Sequence, residues 1–340
     1  MGYTSQAGQV LLRSQAVQGT YQADITTAGV SVKLRSGSLG TNRDLLIGDP
    51  EIGGGRDVAD ALLGAASWAG DYEFYARVDM LATLLKACLG TAAAPVTATG
   101  VTTHTITPTD SGTLPYLSIE ENIGGTLETY SYTDAVVNTM HLECEANGYL
   151  MGTAGIMAAK QIAGVTKTAS PGKFDNTPLF VGTNIAITYN AVTVPAKSFS
   201  LDINNNIAND DFRLGSFYVG DLTAKRREIT ASFRIRESSS ALWRQATYGL
   251  SSATQVAGQT AKQPLVITCD AYDDIVGGTP ATKYRIQFTI PNFALTPYSL
   301  AASGDDIIES DLAGQGLRPS VGTPAITGVI KTGATGATIA

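Results

Sequence analysis

Apolar and polar residues alternate one for one along much of the chain. In Ile229–Arg236, the apolar set Ile229, Ala231, Phe233 and Ile235 alternates with Thr230, Ser232, Arg234 and Arg236. Ser198–Ile203 and Met140–Asn147 read the same way, with Phe199, Leu201 and Ile203, and Met140, Leu142, Cys144 and Ala146, on the apolar sides. Leu265–Ala271, Tyr284–Ile290 and Tyr116–Glu120 are further strand candidates. A period of two places one face on a core and the other against water or a lumen. Parallel sheets would instead show continuous apolar strands spaced by helices. The pattern therefore predicts a mainly β protein.

Two segments carry a helical period. Asp79–Leu89 places Met80, Leu81, Leu84, Leu85 and Cys88 on one side, and Ser238–Tyr248 groups Leu242, Trp243 and Ala246, with Ser238 to Ser240 available as caps. Each is followed by a glycine, Gly90 or Gly249, where a left-handed cap belongs. Setting those glycines against each other aligns Phe74 with Phe233, Arg77 with Arg236, Ala82 with Ala241 and Ala87 with Ala246. A polar loop follows each helix, Thr91–Gly112 and Ser251–Lys262, and Tyr130–Asn138 then matches Tyr284–Asn292. The order strand, helix, loop, strand, strand thus occurs twice. It predicts a first β domain over 1–165 with an N-terminal arm and a long glycine-rich loop at 36–56, a second over 166–318, and a Gly/Thr-rich arm at 319–340 that orders on a neighbour.

Composition sharpens this picture. Of the 340 residues, 16% are charged, against about 25% in an ordinary soluble domain. With 44% hydrophobic residues and a mean hydropathy of +0.06, the chain can build a core, yet its surface is poor in charge. Such a surface points to coverage by other molecules. The net charge of −7 argues against ordinary nucleic-acid binding, which depends on Lys and Arg at phosphates. Lys225-Arg226-Arg227, the densest basic cluster, is too short for a DNA-binding stripe and reads as a turn or a subunit contact. Asp60 and Lys86 interrupt the longest apolar stretches, so no membrane helix is predicted. The N-terminus lacks the pattern of a secretory signal, and three widely spaced cysteines, Cys88, Cys144 and Cys269, suit buried thiols.

Candidate chemistry is sparse. His104 falls in a Thr-rich loop and His141 on the polar face of a strand, with no nucleophile elbow or zinc spacing around either. Gly53-Gly54-Gly55-Arg56 lacks the spacing and the Lys-Ser/Thr of a phosphate loop. The stretch from Asp202 to Arg213 has Ile207 where a calcium loop needs Gly and Arg213 where it needs Glu. Asp305, Asp306, Glu309 and Asp311 read as a solvated or inter-subunit acidic cluster. The sequence gives no catalytic, cofactor or metal site, and predicts no enzyme.

Three stretches carry a family resemblance. They are EIGGGRDVADALLGAASWAGDYEFYARVDMLATLLKACLG from Glu51 to Gly90, SFSLDINNNIANDDFRLGSFYVGDLTAKRREITASFRIRE from Ser198 to Glu237, and YSLAASGDDIIESDLAGQGLRP from Tyr298 to Pro319. In these the chain resembles the major tail tube proteins of long-tailed bacteriophages with non-contractile tails. The resemblance implies a β-sandwich or β-barrel tail-tube domain with a flanking helix, similar to secretion-system tube proteins. It implies a virion tail component assembled in the host cytoplasm, whose partners are further copies of itself, the tape-measure protein and then DNA in the lumen, and tail terminator and distal tail proteins at the tube ends. No cofactor and no membrane insertion are implied.

Such subunits commonly form hexameric rings of single domains. A duplicated chain would need three copies for a pseudo-hexameric ring. Six domains of four strands make about 24 strands, and a spacing of about 4.8 Å with a tilt of about 40° gives a backbone bore of roughly 37 to 48 Å. A duplex about 20 Å wide passes through that. Glu143, Glu145 and Asp202 are the candidate lumen carboxylates, while Arg234, Arg236, Lys225, Arg226 and Arg227 are candidate subunit contacts. Two other readings share the composition, a capsid-decorating or array-forming protein and a carbohydrate-binding β-sandwich. The second normally shows clustered exposed aromatics, and only two tryptophans occur here.

Overall fold

The alternating segments become long antiparallel strands. The computed structural model describes residues 3–49, 51–53, 57–58, 60–256, 258, 261–300 and 307–333. The first half contributes β1 (Gln9–Ser14), β2 (Gly40–Ile47), β3 (Ala61–Tyr75), α1 (Val78–Leu89), β4 (Val101–Pro108), β5 (Leu117–Ile123), β6 (Glu128–Glu145) and β7 (Met151–Ile162). The second contributes β8 (Phe180–Tyr189), β9 (Ala196–Asn204), β10 (Glu228–Arg236), α2 (Ala241–Tyr248), β11 (Lys262–Asp274), β12 (Lys283–Leu295), β13 (Glu309–Leu317) and β14 (Thr327–Gly333). The protein is thus a β-rich molecule with little helix.

Eight strands pair antiparallel in the order β2-β3-β7-β6-β9-β10-β13-β12. The connectivity of the first four, β2-β3-β7-β6, is that of the last four, β9-β10-β13-β12. The flanking strands pair alike too: β1 with β5 and β5 with β6, then β8 with β11 and β11 with β12. Phe74 on β3 lies opposite Gly152 on β7, and Phe233 on β10 lies opposite Leu312 on β13. Both rings are buried in one hydrophobic core that spans the two halves.

Helix α1 departs from the one-sided helix that its period predicts. All of its residues but Lys86 are buried, because β1, β4, β6 and β14 all pack around it. The Lys86 ammonium escapes to the Ser14 hydroxyl at 3.1 Å. Gly90, at φ 111°, returns its amide to the Lys86 carbonyl and ends the helix. Helix α2 begins at Ala241, later than Ser238, and Ser240 makes no side-chain cap bond. Trp243 is only half-buried, its indole N–H donating to the Tyr298 carbonyl at 3.0 Å.

Other expectations are corrected. Tyr130–Asn138 and Met140–Glu145 belong to one strand, β6, which shifts register between Val137 and Thr139 and ends before Ala146 and Asn147. The glycine-rich loop at 36–56 contains strand β2, whose residues are all exposed. With no buried face there is no alternation to read, and only pairing to β3 defines the strand. Pro50, Gly54, Gly55 and Arg56 lie outside the described residues. Thr91–Gly112 contains strand β4, whose buried positions are Thr102, His104 and Ile106, a polar set that conceals the period. Within the expected C-terminal arm, β14 lies between β12 and β4 of its own chain, with Gly328, Ile330 and Thr332 buried. Residues 334–340 lie outside the described residues.

Candidate functional site

Directly opposed residues of an antiparallel ladder share a face, so the registers build one surface. Across the sheet, Glu73, Thr153, His141, Asp202, Thr230 and Gln315 form one row. The next row runs through Met151, Glu143, Ser200, Ser232 and Ala313, and a third through Glu145, Ser198, Arg234 and Asp311. Asp71 and Glu228 stand on the same face at one margin, and Arg236 with Glu309 at the other. Its carboxylates are therefore Asp71, Glu73, Glu143, Glu145, Asp202, Glu228, Glu309 and Asp311. On these strand positions Arg234, Arg236 and His141 oppose them. The surface is acidic.

The structure thus brings together the predicted carboxylates Glu143, Glu145 and Asp202, and places Arg234 and Arg236 on the same face. Glu309 accepts from the Arg234 guanidinium at 3.1 Å and from the Lys197 ammonium. Lys197 first, and then Arg234, hold its carboxyl below the usual carboxylate range. His141, which the alternation places on the polar face without a partner, stands between two of these acids. Its Nδ1 lies 2.5 Å from Asp202 Oδ1 and its Nε2 lies 3.4 Å from Glu143 Oε2. The Asp202 hydrogen bond is the main cause of an imidazole pKa raised above its ordinary value. The ring is thus favoured as a cation between two acids.

Lys225, Arg226 and Arg227 stand apart from this face. With Asp110 and Arg318 they line a cavity of about 580 Å³ between the loop after β4, the start of β10 and the loop between β13 and β14. Arg318 pairs with Asp110 at 2.8 Å. Arg227 is partly buried and donates to the Asn205 side-chain oxygen at 2.9 Å and to the Thr109 and Leu89 carbonyls at 3.3 Å. Burial lowers its pKa. Lys225 and Arg226 are exposed. Asp110 and Arg318 come from distant loops, and no local spacing announces them.

The cysteines and His104 are buried. Cys88, Cys144 and Cys269 are buried free thiols, and burial pushes Cys88 up to about 12 and Cys144 up to about 11. His104 lies on β4 at 1% exposure, correcting its placement in a loop, and burial lowers its pKa. Among the described residues no group of three or more His, Cys, Asp or Glu could hold a metal ion, and no helix is long and apolar enough to cross a membrane. Asp305 and Asp306 lie outside the described residues.

No curated protein matches the chain. A family model described as phage tail tube protein matches residues 5–316, a span that takes in both sets of four strands, the shared acidic face and most of the basic cavity. The chain belongs to the phage tail tube protein family.

Proposed function

We propose that three copies of this structural tail tube subunit close a pseudo-hexameric ring, and that rings stack around an acidic channel through which the genome passes during ejection. The observation that carries this reading is the eight-stranded run, built from two sets of four with the same connectivity. Three such runs supply the roughly 24 strands that a bore wide enough for duplex DNA requires. The two sets, within 1–165 and 166–318, are taken as two tail-tube domains. At the β6–β9 seam, β9 closes the edge of the first set. Strand β2 holds the corresponding place in the first set, pairs among the described residues with β3 alone and is exposed throughout. A neighbouring copy supplies its missing partner.

The acidic face is assigned to the lumen. DNA carries a negative charge about every 1.7 Å, so carboxylates such as Glu143, Glu145 and Asp202 discourage adhesive contacts that would slow its passage. The tape-measure protein would fill the channel before DNA, terminator and distal tail proteins would close the tube ends, and the tube would assemble in the host cytoplasm. Negative-stain microscopy of the concentrated protein tests assembly: rings or tubes with a central bore support the reading, and a persistent monomer overturns it.

A further inference from the structure

The loop joining β9 to β10, residues 205–227, crosses onto the other half of the chain. There the Ala66 amide donates to the Phe217 carbonyl at 2.8 Å, Ala66 bridges Tyr218, and the Tyr218 ring lies 6.1 Å from that of Trp68. The Gln18 side chain adds a hydrogen bond to Asp221 at 2.8 Å. The second set of strands therefore anchors its loop on the start of β3 in the first.

Residues 48–60, which join β2 to β3, hold the equivalent place in the first set. Their described members are all exposed. The alignment that sets Phe74 against Phe233 also sets Ala66 against Lys225 and Trp68 against Arg227. The surface equivalent to the docking site on β3 is thus the end of the β9–β10 loop, just ahead of β10, where the basic cavity opens. The charges of the two are complementary. The loop carries Asp49, Glu51, Asp57 and Asp60 against Arg56. The cavity is lined by Lys225, Arg226, Arg227 and Arg318 with Asp110 as its carboxylate. Among the described residues, neither Lys225 nor Arg226 makes an ion pair.

We propose that the β2–β3 loop of a second copy seats its carboxylates in this cavity against Lys225 and Arg226, as the β9–β10 loop seats on β3 within one chain. The inference rests on the reading of the chain as a self-assembling, duplicated subunit. It adds a specific acidic-to-basic contact between copies. The contact also gives Lys225 and Arg226 a role in a protein of net charge −7, beside an Arg227 that is held by its own chain. A DNA phosphate is the competing occupant.

Charge reversal tests the contact. Lys225→Glu with Arg226→Glu, and separately Glu51→Lys with Asp57→Lys, should each raise the concentration at which tubes sediment by about tenfold or more, because like charges then meet. All four substitutions in one chain should bring that concentration back to within about threefold of the parent. Arg227 is left in place so that its internal hydrogen bonds survive, and monomer melting checks the fold of each variant. Thresholds unchanged in both reversed pairs, or no recovery in the combined variant, overturn the docking while leaving assembly intact. Tubes that form normally from Lys225→Glu/Arg226→Glu but lose salt-sensitive DNA binding also overturn it, in favour of phosphate. A parent chain that never polymerises overturns the assembly reading itself, and this contact with it. A disulfide between Asp57→Cys chains and Lys225→Cys chains, mixed under oxidising conditions, supplies a second readout that does not depend on charge.

Discussion

His141 on β6 and Asp202 on β9 face each other across the seam between the two sets of four strands, Nδ1 to Oδ1 at 2.5 Å. The pair joins the halves at the middle of the acidic face. It gives that face an internal cation whose charge depends on pH.

The two histidines of the chain should titrate on opposite sides of the ordinary value of 6.5. Asp202 raises His141 and burial lowers His104. The contribution of His141 to stability is present in full below 6.5 and is lost as pH rises through its folded value. That of His104 is present above 6.5 and is lost as pH falls through its depressed folded value. Imidazole carbon–proton NMR, assigned with His141→Gln, measures both. Asp202→Asn should bring the His141 titration down towards 6.5; an unmoved His141 contradicts the pairing.

Gly152 admits the Phe74 ring into the core. A Cβ built there would stand 2.5 Å from Phe74 Cε2, too close for either group unless the ring moves. Gly152→Ala should cost about 1–3 kcal/mol through overpacking, and Phe74→Leu in the same chain should recover part of it. Urea unfolding of the two single variants and the double variant gives the coupling.

Arg227 donates to three neutral oxygens on different segments. Arg227→Ala should cost roughly 2–3 kcal/mol, because partly buried acceptors lose a charged donor. Arg227→Lys should rescue little, since one ammonium cannot reproduce the planar fork. Thermal melting of the monomer decides this, and a change below about 0.5 kcal/mol for Arg227→Ala contradicts the structural role.

The strand fold and much of the acidic face were legible because the residues concerned obey one rule. From Met140 to the end of β6, from Phe199 along β9, and on β10 every second residue is buried, so the outward partners Glu143, Glu145, Asp202, Arg234 and Arg236 follow directly from the period. Strand β2 was not legible because none of its residues is buried, and β4 was hidden because its inward positions include Thr102 and His104. Strand β14 lies in a Gly/Thr-rich tail, where only Ile330 marks the inward face strongly. The arrangement around His141 depends on strand register, which connects residues 61 positions apart. The cavity needs three distant loops at once.

The exposed strand β2 and the start of β3 carry apolar residues, with Leu46 opposite Leu62 at 55% and 65% exposure. Leu46→Ser with Leu62→Ser should leave monomer stability within about 0.5 kcal/mol per site yet raise the polymerisation threshold severalfold. Sedimentation against concentration measures the second effect. Equal thresholds for parent and variant would mean that this hairpin stays outside the subunit interface.

The most direct test of the central claim is the reconstruction of an assembled tube by cryo-electron microscopy, read for copies per ring and for the residues that line the bore. Three copies of the 35.4 kDa chain per ring are expected, with Glu143, Glu145 and Asp202 turned towards the channel. Six chains per ring, or a bore lined by another face with these carboxylates on the outside, would contradict it.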